Sequence, residues 1–328
     1  MTIKTKVILT LLSACIGNPT PAQEVKTEEP KGKAIIQVFG DFHTGFGSEN
    51  DERGFELERS YLGYEYRLGG GLSIKGVMDV GKSSDVSDYH RIAYIKNAMV
   101  SWKKGNMILN GGLIPTTQFN FQEKFWNYRY IMKSFQDQYS FGSSADLGLS
   151  VAYKFSDWFS ADAIIVNGEG YKKIQKKDGL NYGVGITLTP VRGFQVRLYG
   201  AMNENGGNGQ EDTYNIAAFA GYKSHRFTVG AEYSHILNAA YKKDSDQYGY
   251  SAFASIRLSE HADIYARFDD LFSIHGWNKA KDEQNAILGA QFKLGKYIRI
   301  APNFRINMPK ADESKNGYSV YINYYFGF

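Results

Sequence analysis

From residue 33 to Phe328 the chain repeats one device, an apolar side chain at every second position with polar or small residues between. Tyr182, Val184, Ile186 and Leu188 alternate with Gly183, Gly185, Thr187 and Thr189, and Ile298, Ile300 and Phe304 alternate with Arg299, Ala301, Asn303 and Arg305. A period of two is the signature of a strand with one apolar face and one wet face. Read along the chain it predicts about sixteen strands, beginning near 33–46, 53–68 and 70–82 and ending near 282–294, 296–306 and 317–327. Most are long enough for the roughly ten tilted residues that cross a bilayer as a strand.

The connections alternate too. Very short ones fall at Gly69-Gly70, Lys104-Gly105, Ser156-Asp157, Val191-Arg192, Ser224, Glu260-His261 and Gly295, and longer polar ones lie between them, as at 83–90, 168–180 and 238–246. A sandwich or propeller has no reason to lengthen every second loop, whereas a membrane barrel has short turns on one side and long loops on the other. The fold class expected is therefore all-β, a transmembrane antiparallel β-barrel of about sixteen strands with both termini on the short-turn side. One connection stands apart: residues 114–145 carry Phe119, Phe121, Phe125, Trp126, Tyr128, Tyr130 and Phe135. A loop that long and that aromatic is expected to fold into the lumen and narrow it.

Composition agrees with many strands and tight turns, with 24 Tyr, 35 Gly and only 7 Pro. The mean hydropathy of −0.40 suits a barrel in which only alternate residues meet lipid. Aromatics fall near the expected interfaces, Trp102 and Trp158 beside short turns and Tyr324, Phe326 and Phe328 at the end of the last strand.

Ahead of the strands, Lys4 and Lys6 precede the apolar run Val7 to Leu12 and the small-residue stretch Thr20-Pro21-Ala22. That order predicts a signal peptide over 1–22, and Leu12-Ser13-Ala14-Cys15 offers the competing outcome of a lipidated Cys15. Residues 23–32 read as a charged, flexible periplasmic lead-in, followed by the barrel over 33–328. Cleavage after Ala22 removes the only cysteine, and with it any disulfide. It also lowers the formal charge from +4 to +2, a balance that gives no argument for nucleic acid.

The chain resembles a porin of the group that includes the phosphate-selective porins O and P. The residues that carry the resemblance are Phe55-Glu56-Leu57-Glu58-Arg59-Ser60-Tyr61-Leu62-Gly63, Gly112-Leu113-Ile114-Pro115, Ser144-Ala145-Asp146-Leu147-Gly148, Asn167-Gly168-Glu169-Gly170-Tyr171 and the terminal Tyr324-Tyr325-Phe326-Gly327-Phe328. The resemblance implies a bacterial outer-membrane location, small hydrophilic solutes with anions such as phosphate among them, lipid contact, insertion by the barrel assembly machinery, and a homotrimer. It does not extend to phosphate selectivity, because the dense arginine and lysine ladders of the phosphate members have no counterpart here.

Parity assigns the lumen. If the apolar set of each strand faces lipid, then Arg59, Lys75, Arg197, Arg257, Arg267, Lys293, Arg299 and Arg305 point inward, with Asp79, Glu232 and Asp269. Arg129, Lys133 and Trp126 on the long loop are the expected constriction. Each wall arginine has two roles open to it, an ion pair that braces the wall or contact with a passing solute. Together these charges predict passive diffusion of small solutes with a weak anion preference.

Catalysis and metal binding find little support. No Gly-x-Ser-x-Gly elbow occurs, and His43, His90, His225, His235, His261 and His275 lack ligand spacing, so no cofactor or metal is expected. A barrel lipase needs a serine and a histidine on the outer face, where only His235 qualifies, with Tyr233 and Leu237 beside it and no nucleophile. A secreted soluble β-protein that binds polysaccharide is the other alternative, and fractionation in buffer rather than detergent separates it.

Overall fold

The computed structural model describes residues 31–49, 53–82, 90–175, 178–207 and 209–328. The expected signal peptide and residues 23–30 of the lead-in lie outside the described residues. Lys31 and Gly32, expected in the lead-in, already belong to the first strand, because their backbones pair with Arg67 and Tyr66.

Sixteen strands form a closed antiparallel barrel in which each pairs with its neighbours in the chain and the last pairs back onto the first. They are β1 Lys31–Gly47, β2 Arg53–Gly69, β3 Leu72–Lys82, β4 Arg91–Lys104, β5 Met107–Pro115, β6 Ala145–Lys154, β7 Phe159–Val166 and β8 Asn181–Val191 in the first half. The second half holds β9 Phe194–Asn203, β10 Thr213–Lys223, β11 Phe227–Leu237, β12 Gln247–Arg257, β13 Ala262–Ser273, β14 Glu283–Leu294, β15 Ile298–Pro309 and β16 Gly317–Gly327. Closure leaves no strand edge without a partner, which is what a sheet surrounded by hydrocarbon requires. No helix of the described residues is long and apolar enough to cross a membrane.

The outer face is apolar, as the alternation predicts. Leu149, Val184 and Leu288 are all more than half exposed, and Trp158 and Phe328 stand equally bare near the short turns. On the inner face Asn97, Ser150, Thr187, Asn303 and Asn323 take the intervening positions.

Parity fails at two bulges, where an extra residue slips the register. Between β1 and β2 the pairing jumps from Phe39 and Arg59 to Gly40 and Leu57, so Glu58 has no partner residue opposite it. Between β3 and β4 it jumps from Val77 and Asn97 to Met78 and Ile95, and Lys96 is the residue passed over. Strict alternation from Arg59 and Asn97 would send both to lipid. The bulges turn them to the lumen, where Glu58 lines the cavity beside Arg59 and Arg129, and Lys96 the one beside Tyr61 and Lys75.

Candidate functional site: the narrowed lumen

The segment between β5 and β6 enters the barrel. It contains two short helices, α1 (Asn120–Trp126) and α2 (Phe135–Gln138), and its aromatic rings rather than its polar groups decide which wall it takes. Phe121 and Phe125 pack on Phe219 of β10 at ring distances of 5.7 and 5.0 Å. Trp126 packs on Phe253 of β12 and Tyr265 of β13, and Tyr128 stacks on Tyr265 at 4.6 Å. Each ring pair contributes on the order of 0.5–1.5 kcal/mol beyond the area it buries. The helix can turn sharply after Trp126 because Asn127 takes a left-handed conformation, φ 58°, that asparagine tolerates.

Three wall arginines clamp the same segment by its backbone. Arg197 of β9 donates to the Thr117 carbonyl at 2.7 Å while gripping Asp162 of β7 with two bonds of 2.7 and 3.0 Å. Arg267 of β13 donates to the Lys133 carbonyl at 2.5 Å and to both oxygens of Asp269, at 2.8 and 2.7 Å. Arg305 of β15 donates to the Ile131 carbonyl at 2.9 Å and to Asn323. Carbonyls of an irregular segment need donors wherever water is excluded, and a guanidinium can serve a carbonyl and a carboxylate at once. For these three arginines the bracing role is the observed one.

The predicted constriction residues divide. Trp126 is only 2% exposed and its indole N–H donates to the Met132 carbonyl at 2.9 Å, so it anchors the loop and is not free to form the aperture. Arg129 reaches open space, but its guanidinium is held by Glu123 and Asp137, each at 3.0 Å. Lys133 has no ion pair within 4 Å among the described residues and faces the cavities on both sides of Arg59. Burial lowers the pKa of its amine, with Asp137 opposing the shift and Arg59 and Arg129 adding to it.

Of the predicted wall residues, Arg59 lies 3.3 Å from Asp79 and 3.3 Å from the Tyr61 hydroxyl. Arg299 is stacked over Tyr325 at 5.0 Å, Lys75 carries no ion pair among the described residues, and Glu232 is 5% exposed on the inward face of β11. The structure thus brings Arg59, Asp79, Arg129 and Lys133 together around one passage. It sets Glu232 and Arg267 behind the loop, Arg299 below it in the cavity with Tyr128 and Lys293, and Arg197 and Lys75 on the walls of another cavity beside the loop.

Two elements of this passage lay beyond sequence reasoning. Lys96 donates to the Tyr61 hydroxyl at 2.8 Å and sits 4.4 Å from that ring, but only because of its bulge. The second is a hook between β7 and β8. The Asp146 carboxylate collects the N–H groups of Leu147 at 2.7 Å, Gly168 at 2.7 Å and Gly170 at 3.1 Å. Gly168 and Gly170 adopt φ of +100° and +83°, which side-chain-bearing residues resist. The bend points Tyr171 across the lumen, and its hydroxyl donates to Asp79 at 2.5 Å. The Gly-x-Gly-Tyr spacing was the available signal, though nothing in it says where the tyrosine ends up. Asp162 and Asp263, by contrast, follow from parity alone.

Neither a family model nor a curated protein matches the sequence. Among solved structures, an anion-selective porin from Comamonas acidovorans superposes with a TM-score of 0.65 at 14% identity, over 92% of this chain and 100% of that one. OprB of Pseudomonas putida, in a high-pH structure, gives 0.68 at 12% identity over 90% and 94%. OmpF of Salmonella typhi, in complex with daunomycin, gives 0.64 at 12% identity over 90% and 98%. At such identities the likeness establishes the shared fold, a sixteen-stranded barrel with each protein matched along nearly its whole length.

Proposed function

We propose that this chain is a porin of the bacterial outer membrane, a non-enzymatic channel for passive diffusion of small hydrophilic solutes with a weak preference for anions. One observation carries the proposal: the loop covers only one side of the lumen, and the cleft left open on the other is lined by Lys75, Lys96, Lys124 and Lys133, none in an ion pair within 4 Å among the described residues. In a lumen narrowed by the loop, solutes pass within the roughly 8 Å reach of a wall charge at physiological salt, so an anion gains and a cation loses on entry. Asp41 and Glu58 on one approach, and Glu65, Asp157, Asp162 and Glu123 beside the lysines, oppose them and keep the preference modest. The apolar outer band and the porin neighbours support the location.

Kinship with the phosphate-selective porins O and P belongs to the same proposal, without their selectivity, as do insertion by the barrel assembly machinery and a homotrimer in contact with lipid. The outward small residues Ala218, Ala220, Ala252 and Ala254 would allow barrels to approach closely, and light scattering in mild detergent tests that. Against the lipase stands the setting of His235, which is ringed by Tyr233, Tyr248 and the Asp246 carboxylate at 3.9 Å, while Ser234 is fully buried on the other face.

Planar-bilayer recording in a potassium chloride gradient tests the channel. The wild type should show a reversal potential displaced toward chloride that shrinks as salt rises. The pair Arg129→Gln and Lys133→Gln should move it toward potassium, the first substitution also leaving Glu123 and Asp137 to face the passage unpaired. A potassium-selective wild type, or a pair of substitutions without effect, removes the anion preference.

A further inference from the structure

Below the loop, on its open side, the wall changes character. Ser73 of β3 pairs in register with Ser101 of β4, Ser101 with Asn110 of β5, and Asn110 with Ser150 of β6. The row is therefore one unbroken belt of small hydroxyl and amide groups around four strands, with Asn110 donating to the Ser150 hydroxyl at 3.0 Å. The belt lines a cavity of about 770 Å³ that Lys75 and Lys124 also line, together with the ion pairs Lys154–Asp157 and Arg197–Asp162 and the Glu65 carboxylate. Here two ammonium groups, neither in an ion pair within 4 Å among the described residues, face a wall of hydroxyls.

The combination goes beyond what charge selection needs. Lysines alone attract any anion. A serine hydroxyl both donates and accepts, and so does each hydroxyl of a polyol, so the belt can replace the water around such a solute bond for bond as it passes. An alkyl chain on the same carboxylate would displace water from the belt and offer its hydroxyls no hydrogen bond in return. We infer that the channel favours polyhydroxylated anions, such as sugar acids, over anions of equal charge and size that lack hydroxyls. Lys75 and Lys124 take the charge, and the belt from Ser73 to Ser150 takes the hydroxyls. The inference rests on the anion preference proposed above.

The test compares glucuronate with hexanoate, each as the potassium salt in a bi-ionic gradient against chloride across the full-length barrel in a planar bilayer. Wild type should pass glucuronate over hexanoate by at least about threefold more than their bulk mobilities predict, the size of one modest hydrogen bond. The triple variant Ser73→Ala, Ser101→Ala, Ser150→Ala, confirmed as assembled by its heat-modifiable mobility, should return the ratio to the mobility value. Lys75→Gln with Lys124→Gln should lower both permeabilities and leave their ratio in place. A wild-type ratio at the mobility value, or a ratio unmoved in the triple variant, overturns the inference while the preference for chloride over potassium still stands. Loss of that chloride preference in the wild type overturns instead the reading on which it rests.

Discussion

Across β9 to β16 the lumenal wall carries large rings and arginines, and many of them touch the loop: Phe219, Phe253 and Tyr265 stack on it, while Arg197, Arg267 and Arg305 hold its carbonyls. Across β2 to β8 the wall carries serines, lysines and asparagines, and most of these line open cavities. Both walls obey the same period-two rule and both are rich in cations. What separates them is whether each cation has a loop carbonyl within reach. Arg267 donates to the Lys133 carbonyl as well as to Asp269 and is 2% exposed as a side chain, so it acts as a clamp. Lys75 stands opposite Glu65 in the β2–β3 register but has no ion pair within 4 Å among the described residues and holds no loop carbonyl, so its charge is left to the passage. A lumenal positive charge therefore says nothing about selectivity until its neighbours are known.

Deleting residues 120–142 should abolish the difference between the two walls and give the largest change, a rise in single-channel conductance as the covered half opens. Unchanged conductance in an assembled deletion variant would mean that the loop is not the narrowing element. Arg267→Leu should come next, because it strands Asp269 in a buried site, a loss of about 3–5 kcal/mol. Limited proteolysis within 116–144 and open-channel noise should both increase, and adding Asp269→Leu should recover much of the loss. If the single substitution leaves the loop resistant to protease, the clamp is not what holds it.

Phe219→Ala sharpens the comparison on the apolar side. The ring is 2% exposed between Phe121 and Phe125, and its removal should cost about 3 kcal/mol by leaving a cavity. Melting of α1, seen as faster amide exchange over residues 120–126, is the measurement, and equal exchange in the two proteins would count against the packing account. The smallest effect is a pH dependence on the open side. Because burial lowers the Lys133 pKa, its charge is lost as pH rises through a value below the ordinary lysine figure of about 10.4. Anion preference should decline in that alkaline range in the wild type, and Lys133→Arg should abolish the decline. A wild-type reversal potential flat up to that figure would sink the assignment.

Period-two alternation, the alternation of connection lengths and the ring-laden 114–145 segment were enough to define the barrel, its strand count and a loop inside it, because a strand's facing is a local property of its backbone. Parity likewise placed Arg59, Lys75, Arg197, Arg267 and Arg299 on the inner wall. Strict parity does not reach Glu58 and Lys96, where one extra residue reverses facing and the cause lies in the partner strand's register rather than in the residue itself. Nor could it tell clamp from filter, since the loop carbonyls that Arg197, Arg267 and Arg305 hold lie some 80 to 174 residues away along the chain. Alternation is written into each strand, so the sequence alone determines the wall. The pairing of wall charges with a loop depends on which distant groups closure brings together, and only the tertiary structure decides that.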